Sequence, residues 1–314
     1  MPNDFSKKVS LYTKKLDILA AKASCTADLD GANADMVRDS GTAGTVMLPK
    51  MTVDGLGDYD RATGFPAGDV AIDWVPYKLR FDRGRGFEVD DMDDAETCEV
   101  TTLNMLGTFV RDHAVPEMDA VRLSTYAANA GTAVKADLAK PADALAAILA
   151  AEAAIEEHAD LAGAILYMSP ACKGLLKQAV AYRFGRGEDP QMSFETFDGL
   201  KLVTVPSARF ATSFTLGAKG FKPTKQADNE ASNSHITGKQ GEDATGINFL
   251  LVKPEAVCQV KKTEKMRYFT PEANQAKDAH KWQYRLYHDA FVLSAKKPLV
   301  YAHTAAAAAA AAKA

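Results

Sequence analysis

The sequence predicts an α+β fold, and three observations carry that reading. Between residues 142 and 252, helical apolar patterns alternate with short, strand-like apolar runs. Ahead of them, residues 45–92 read as one long two-stranded excursion with period-two alternation. Behind them the chain returns to strand at Gln283–Leu293 and Leu299–His303. Helix and strand alternating in the middle, with long β excursions on both sides, argues for α+β over a doubly wound parallel sheet.

The elements follow in order. Val9, Leu11, Leu16, Ile18 and Leu19 recur at loose helical spacing within charged residues. The stretches Thr26–Gly31 and Asp39–Gly44 are extended and punctuated by glycine, with little core of their own, so they must lie on this subunit or on a neighbour. Thr45–Leu48 and Met51–Val53 lead out along the excursion, and Val70–Val75 and Tyr77–Phe81 lead back. Its tip, Gly55-Leu-Gly-Asp-Tyr-Asp-Arg-Ala-Thr-Gly-Phe-Pro-Ala-Gly68, is rich in turn residues. A lone hairpin is marginal in water, so one this long implies packing against something outside itself. The ordinary alternative is a hairpin folded back on its own domain. Asp93 with Glu96 three positions on has the reciprocal capping pattern of a helix start. Val100, Leu103, Leu106, Phe109 and Val110 continue that helix as an apolar stripe. Pro116 is expected to kink or restart it, biasing Val115 away from helical angles. Met118, Val121, Leu123 and Tyr126 carry the stripe on towards Gly131.

The middle unit reads as a helix over Ala142–His158, a strand over Ala164–Met168, a helix from Pro170 to Val180, and strands at Leu200–Val205 and Ile247–Val252. Residues 217–246 are long, polar and glycine-studded, as functional or mobile loops are. Gln283–Leu293 and Leu299–His303, joined through Ala295–Pro298, read as a terminal hairpin. Ala305–Ala312 is low-complexity, with no amphipathic face.

Composition excludes several classes. The 314 residues are 47% hydrophobic and 25% charged, an ordinary globular balance that rules out a disordered or collagen-like chain. Lys plus Arg number 37 against 41 Asp plus Glu, for a net charge of -4, which disfavours a protein that grips phosphate. Cys25, Cys98, Cys172 and Cys258 share no metal or redox spacing and read as reduced thiols. No signal-peptide core and no long apolar run are visible, so a soluble intracellular product with no membrane contact is expected.

Catalytic chemistry finds no foothold. Among six histidines, His280 and His288 lie with Asp278 and Asp289, but their spacing matches no metal signature, and Tyr287, His288 and Asp289 read as structural strand. Arg83-Gly-Arg-Gly86 lacks the lysine and hydroxyl of a phosphate loop and runs into strand. No nucleophile elbow and no Cys/His pair is present, and the acids of Asp90–Asp94 are ordinary at a helix start. The expectation is a protein that is not an enzyme, with no catalytic residue, cofactor or metal.

A resemblance rests on several quoted stretches taken together. Leu48-Pro-Lys-Met51, Gly55-Leu-Gly-Asp-Tyr-Asp-Arg61 and Gly64-Phe-Pro-Ala-Gly-Asp69 come first, then Asp82–Thr97 and Val115-Pro-Glu-Met-Asp-Ala-Val-Arg122. Tyr167-Met-Ser-Pro170, Val205-Pro-Ser-Ala-Arg-Phe210, Ile247-Asn-Phe249 and Tyr284-Arg-Leu-Tyr-His-Asp289 follow. In order and spacing, from about Tyr12 to Thr304, the chain resembles the major capsid proteins of tailed bacteriophages and prophages.

That resemblance implies the Hong Kong phage-type shell fold. Residues 1–48 become an N-arm, 49–92 an extended E-loop, and 93–140 a peripheral domain with a spine helix. Residues 141–262 become an axial domain, 263–304 strands returning to the peripheral domain, and 305–314 an alanine-rich tail. It implies a chain that assembles with itself into pentamers, hexamers and an icosahedral shell around double-stranded DNA, built in the bacterial host cytoplasm. A mildly acidic lining suits DNA that must slide. The short N-arm leaves no room for a fused scaffold of roughly a hundred residues, so a separate scaffolding protein is expected, with a portal and a decoration protein as further partners. Asp58, Tyr59, Asp60, Arg61 and Phe65, at the E-loop tip, are the expected intersubunit contacts. Some relatives join an E-loop lysine to a neighbour's asparagine. Here the loop's lysines are Lys50 and Lys78 and the tip carries Arg61, so noncovalent interlocking is expected. The same fold builds encapsulin compartments, the alternative reading, although the quoted motifs resemble the phage proteins more closely.

Overall fold

A computed structural model describes residues 23–42, 44–59, 61, 64–65, 67–90, 92, 107–179, 184–189, 192–217, 220–223, 237, 244–274 and 276–306. The helix expected around residues 9–19, the helix start at Asp93, and Cys98 lie outside the described residues.

Two sheets build the body. The larger has seven strands: β5 (Thr132–Lys135), β6 (Ile165–Met168), β7 (Phe184–Asp189), β8 (Met192–Phe197), β9 (Leu200–Thr204), β12 (Ile247–Val252) and β15 (Val300–Thr304). Their spatial order is β5-β15-β12-β6-β9-β8-β7, with β5/β15 and β6/β9 parallel and the other pairs antiparallel. In β12, Phe249, Leu250, Leu251 and Val252 are all buried, the pattern of a central strand covered on both faces. The helices α2 (Pro141–Glu156) and α3 (Pro170–Ala179) pack on this sheet, α2 through Ile148, Ala151 and Ile155 and α3 through Cys172 and Leu176. The second sheet has the order β13-β14-β4 (Val257–Phe269, Ala279–Val292, Phe81–Asp90), all antiparallel. Its even-numbered β14 face, with Trp282, Tyr284 and Leu286, packs on Val110, Val115 and Met118 of the central helix.

That helix is where Pro116 makes itself felt. A proline inside a helix forfeits a backbone hydrogen bond and typically costs about 3 kcal/mol. Here a π turn over Val110–Ala114 leads into α1 (Val115–Ala128), and the Val115 N–H donates to the Val110 carbonyl five residues back. The helix therefore neither restarts nor breaks. Val115 keeps helical angles, φ -65° and ψ -47°, contrary to the bias expected from the following proline. The widened turn absorbs the missing donor.

The expected terminal hairpin does not form. The strand Gln283–Leu293 belongs to β14, between β13 and β4, whereas β15 lies between β12 and β5 in the other sheet. A 3-10 turn over Ser294–Leu299, with Pro298 inside it, redirects the chain. Gly131 makes the crossing possible: its N–H donates to the carbonyls of Lys297 and Val300, and a Cβ there would stand 2.5 Å from the Lys297 oxygen. The polar stretch 217–246 also holds more structure than its composition implies. Phe214–Gly217 (β10) and Gly220–Pro223 (β11) pair, and Thr237 is buried, exchanging hydrogen bonds with the Phe214 backbone through its N–H and Oγ1.

Residues 24–39 lie on their own body. Asp119, fully buried on α1, accepts from Ser24 Oγ at 2.7 Å, Cys25 N at 2.9 Å and Thr26 Oγ1 at 2.8 Å, and pairs with Arg209 at 2.9 Å. One turn on, Arg122 donates to Thr26 Oγ1 and Asp30. Asn33, at φ 56°, aims its amide at the carbonyls of Pro254, Glu255 and Val257. The segment anchors few apolar side chains, with Leu29 fully buried in the main core, and buried polar partners on the same subunit hold the rest.

Candidate assembly interface

The hairpin is formed by β2 (Thr45–Val53) and β3 (Val70–Lys78), in continuous antiparallel register from Thr45↔Lys78 to Val53↔Val70, with the short β1 (Arg38–Asp39) beside β2. Residues directly opposite in such a ladder share a face. One face carries Val46–Tyr77 and Leu48–Val75, then turns polar with Lys50–Asp73 and Thr52–Ala71. Its base packs on the body: Val46 and Leu48 cluster with Cys258, Val260, Phe291 and Leu293. The Tyr77 ring lies 5.0 Å from that of Phe291, and its hydroxyl meets Ser294.

The opposite face begins with Thr45–Lys78 and is apolar from there to its outer end, with pairs Met47–Pro76, Pro49–Trp74, Met51–Ile72 and Val53–Val70. The Arg38 guanidinium sits 4.4 Å over the Trp74 ring. Beyond that point nothing described covers the stripe: Met51 is 62%, Val53 57%, Val70 58% and Ile72 57% exposed. Burying one such side chain fully is worth about 1.5–3 kcal/mol, so the row is a large unspent driving force for association.

The tip is closed by Asp54 and Asp69, whose backbones pair while Asp54 Oδ2 accepts from the Asp69 N–H at 2.9 Å. Beyond it, Tyr59 and Phe65 meet edge to face at 4.9 Å and both remain exposed. Asp58 and Arg61 are exposed as well, and Asp60 lies outside the described residues. The tip residues singled out from sequence are therefore at the surface, and Tyr59 and Phe65 are brought together. Sequence reasoning passed over the longer apolar row at Met51, Val53, Val70 and Ile72. The signal was there, since both strands alternate with period two and the residues facing the body run out after Leu48.

Elsewhere among the described residues, the thiols and histidines are held in structural settings. Burial pushes the thiols of Cys25 and Cys258 up to about 11 and that of Cys172 to about 12, far from the range of a reactive thiolate. Among the described residues, no group of three or more His, Cys, Asp and Glu side chains is placed to hold a metal ion. No helix among them is long and apolar enough to cross a membrane. His280 bonds through Nδ1 to the Tyr268 hydroxyl and His288 is buried in β14, so the histidines near Asp278 are parts of a strand pair.

A buried two-sheet body with a central helix and a projecting, half-covered hairpin is the fold of virus shell subunits of the tailed-phage type. Solved structures that share it include "Capsid structure of the Cyanophage P-SCSP1u", with a TM-score of 0.57 and 14% identity over 86% of this chain and 85% of that one. "Asymmetric unit of bacteriophage PhiM1 mature capsid" matches with a TM-score of 0.54 and 14% identity over 84% and 83%. A structure titled "Gordonia phage Cozz" matches with a TM-score of 0.54 and 14% identity over 85% and 82%. No family model and no curated protein matches the sequence.

Proposed function

We propose that this chain is the major capsid protein of a tailed bacteriophage or prophage, assembling with copies of itself through pentamers and hexamers into an icosahedral shell around double-stranded DNA. The exposed apolar stripe on the hairpin carries the reading. In a chain with a shell fold, Met51, Val53, Val70 and Ile72 have a natural cover in a neighbouring copy, and repeated contacts around symmetry axes close a shell. On this reading residues 1–48 are the N-arm, 49–92 the E-loop, 93–140 the peripheral domain with α1 in its spine helix, 141–262 the axial domain, and 263–304 strands that return to the peripheral domain. The tip residues Asp58, Tyr59, Asp60, Arg61 and Phe65 extend the contact beyond the stripe. The chain encloses DNA without reading its sequence, consistent with a net charge of -4. A separate scaffolding protein, a portal and a decoration protein complete the particle, which is assembled in the host cytoplasm. Negative-stain microscopy and light scattering of the chain, expressed alone and with the scaffold gene of its own locus, test the proposal. Closed shells or capsomers are expected; monodisperse monomers under every condition would overturn it.

A further inference from the structure

His288 occupies the seam between α1 and the β13–β14–β4 sheet. It lies on the same face of β14 as Trp282, Tyr284 and Leu286, which pack on the central helix. Its neighbour across the ladder, Phe81, packs on Val121 of α1, with the two rings of Phe81 and His288 6.1 Å apart. The residue is 1% exposed, and its Nδ1 is buried with no hydrogen-bond partner. The charged groups that bear on it are cations: Arg122 from α1, Lys261 directly opposite on β13, and Arg83 from β4. Among the described residues, the carboxylates around the seam are already engaged. Asp30 pairs with Arg122 and Lys261, Glu117 with Arg83, Asp119 with Arg209 and Asp289 with Arg80, while Glu264 accepts from the Tyr284 hydroxyl.

We propose that His288 is an acid-operated wedge: a proton on its ring adds an uncompensated cation to the seam and parts α1 from the three-stranded sheet while the seven-stranded sheet stays closed. Burial and the three cations push the ring down to about 3 from an ordinary 6.5, so in the closed seam it is neutral. Once the seam opens, the ring regains its ordinary affinity for a proton. Stability of the seam is therefore fully present above pH 6.5 and is lost progressively as pH falls from 6.5 towards 3. The larger sheet has its own buried histidine, His303, but that ring is satisfied by the Asn248 amide at 3.1 Å and stacks on Phe249. Burial lowers the proton affinity of that ring too, but the His303 ring is partnered and lacks the three cations that add to burial at His288.

The test uses the full chain. The sequence has two tryptophans, so Trp74→Phe leaves Trp282, on the His288 face of β14, as a sole reporter of the seam. Its emission and the far-UV dichroism are followed from pH 7 to 3. In the Trp74→Phe parent, the emission should shift red at a higher pH than the dichroism is lost. His288→Phe, and His288→Gln as the polar variant should the first fold poorly, should lower the emission midpoint by about one pH unit or more. His303→Phe should leave that midpoint in place. Unchanged midpoints in both His288 variants, or emission and dichroism that move together in the parent, would overturn the proposal. So would a His288 ring resonance, assigned by the Gln variant, that is already charged at pH 6.

Discussion

The seven-stranded sheet and the β2–β3 hairpin are built from the same kinds of residue and come to opposite ends. In β12, Phe249, Leu250 and Leu251 find their partners within the chain, and none is measurably exposed. In the hairpin, Met51, Val53, Val70 and Ile72 pair across the ladder as regularly as any strand, yet stay more than half exposed because none of the described residues forms a second layer over them. Apolar alternation specifies which face wants burial; it does not say which molecule will provide the cover. The sheet is folding completed; on the proposed function, the stripe is folding deferred to association.

Substitutions that separate the two regions sharpen this contrast. Phe249→Ala, inside the sheet, should cost about 3–5 kcal/mol and leave a chain that unfolds at markedly lower denaturant, read by urea titration of dichroism. Asp119→Ala, at the buried clasp on residues 24–26, should cost somewhat less, about 3 kcal/mol, because Arg209 loses its buried partner; early proteolysis ahead of Cys25 would report the freed segment. Met51→Glu with Ile72→Glu should shift the melting temperature of the unassembled chain by no more than about 2 °C, yet abolish particles in the light-scattering assay. Normal particles from that variant would erase the distinction between the two regions. The smallest effect should come from Tyr59→Ser with Phe65→Ser, which touch only each other at the tip: no change in folding, and particles that form but dissociate at lower urea than the parent's.

Much of this was legible in the sequence, for identifiable reasons. The hairpin strands were found because their period of two is interrupted only by the glycine-rich tip. The helices α2 and α3 were found because proline at the start and apolar spacing agree. What was not legible depended on distant partners. The polar segment 24–39 had to lie on this subunit or on a neighbour, and only Asp119, Arg122 and the carbonyls around Pro254, which supply its hydrogen bonds, decide for this subunit. Leu299–His303 looked like the return of a hairpin because adjacency in sequence usually means adjacency in a sheet, and only the close approach at Gly131 shows why it crosses to the other one. At the candidate interface the tip attracted notice through its unusual composition, while the longer stripe, made of common residues, drew none.

The placement of β15 has a consequence for how the molecule is made. The chain leaves the seven-stranded sheet after β12, builds β13 and β14 of the other sheet, and only then returns to insert β15 between β12 and β5. During synthesis, every other described strand emerges from the ribosome before the one that joins β5 to the rest. Until it arrives β12 has an open edge, and the closing contacts with β5 join residues as distant in sequence as Tyr301 and Thr132, which makes them slow. A nascent or prematurely terminated chain lacking Val300–Thr304 would keep that edge bare and leave β5 unattached. Such a chain would have the hairpin, its apolar stripe and the β13–β14 residues that hold the hairpin's base, but an incomplete seven-stranded sheet. On the proposed function, this topology makes a complete shell subunit depend on synthesis that has run past residue 304.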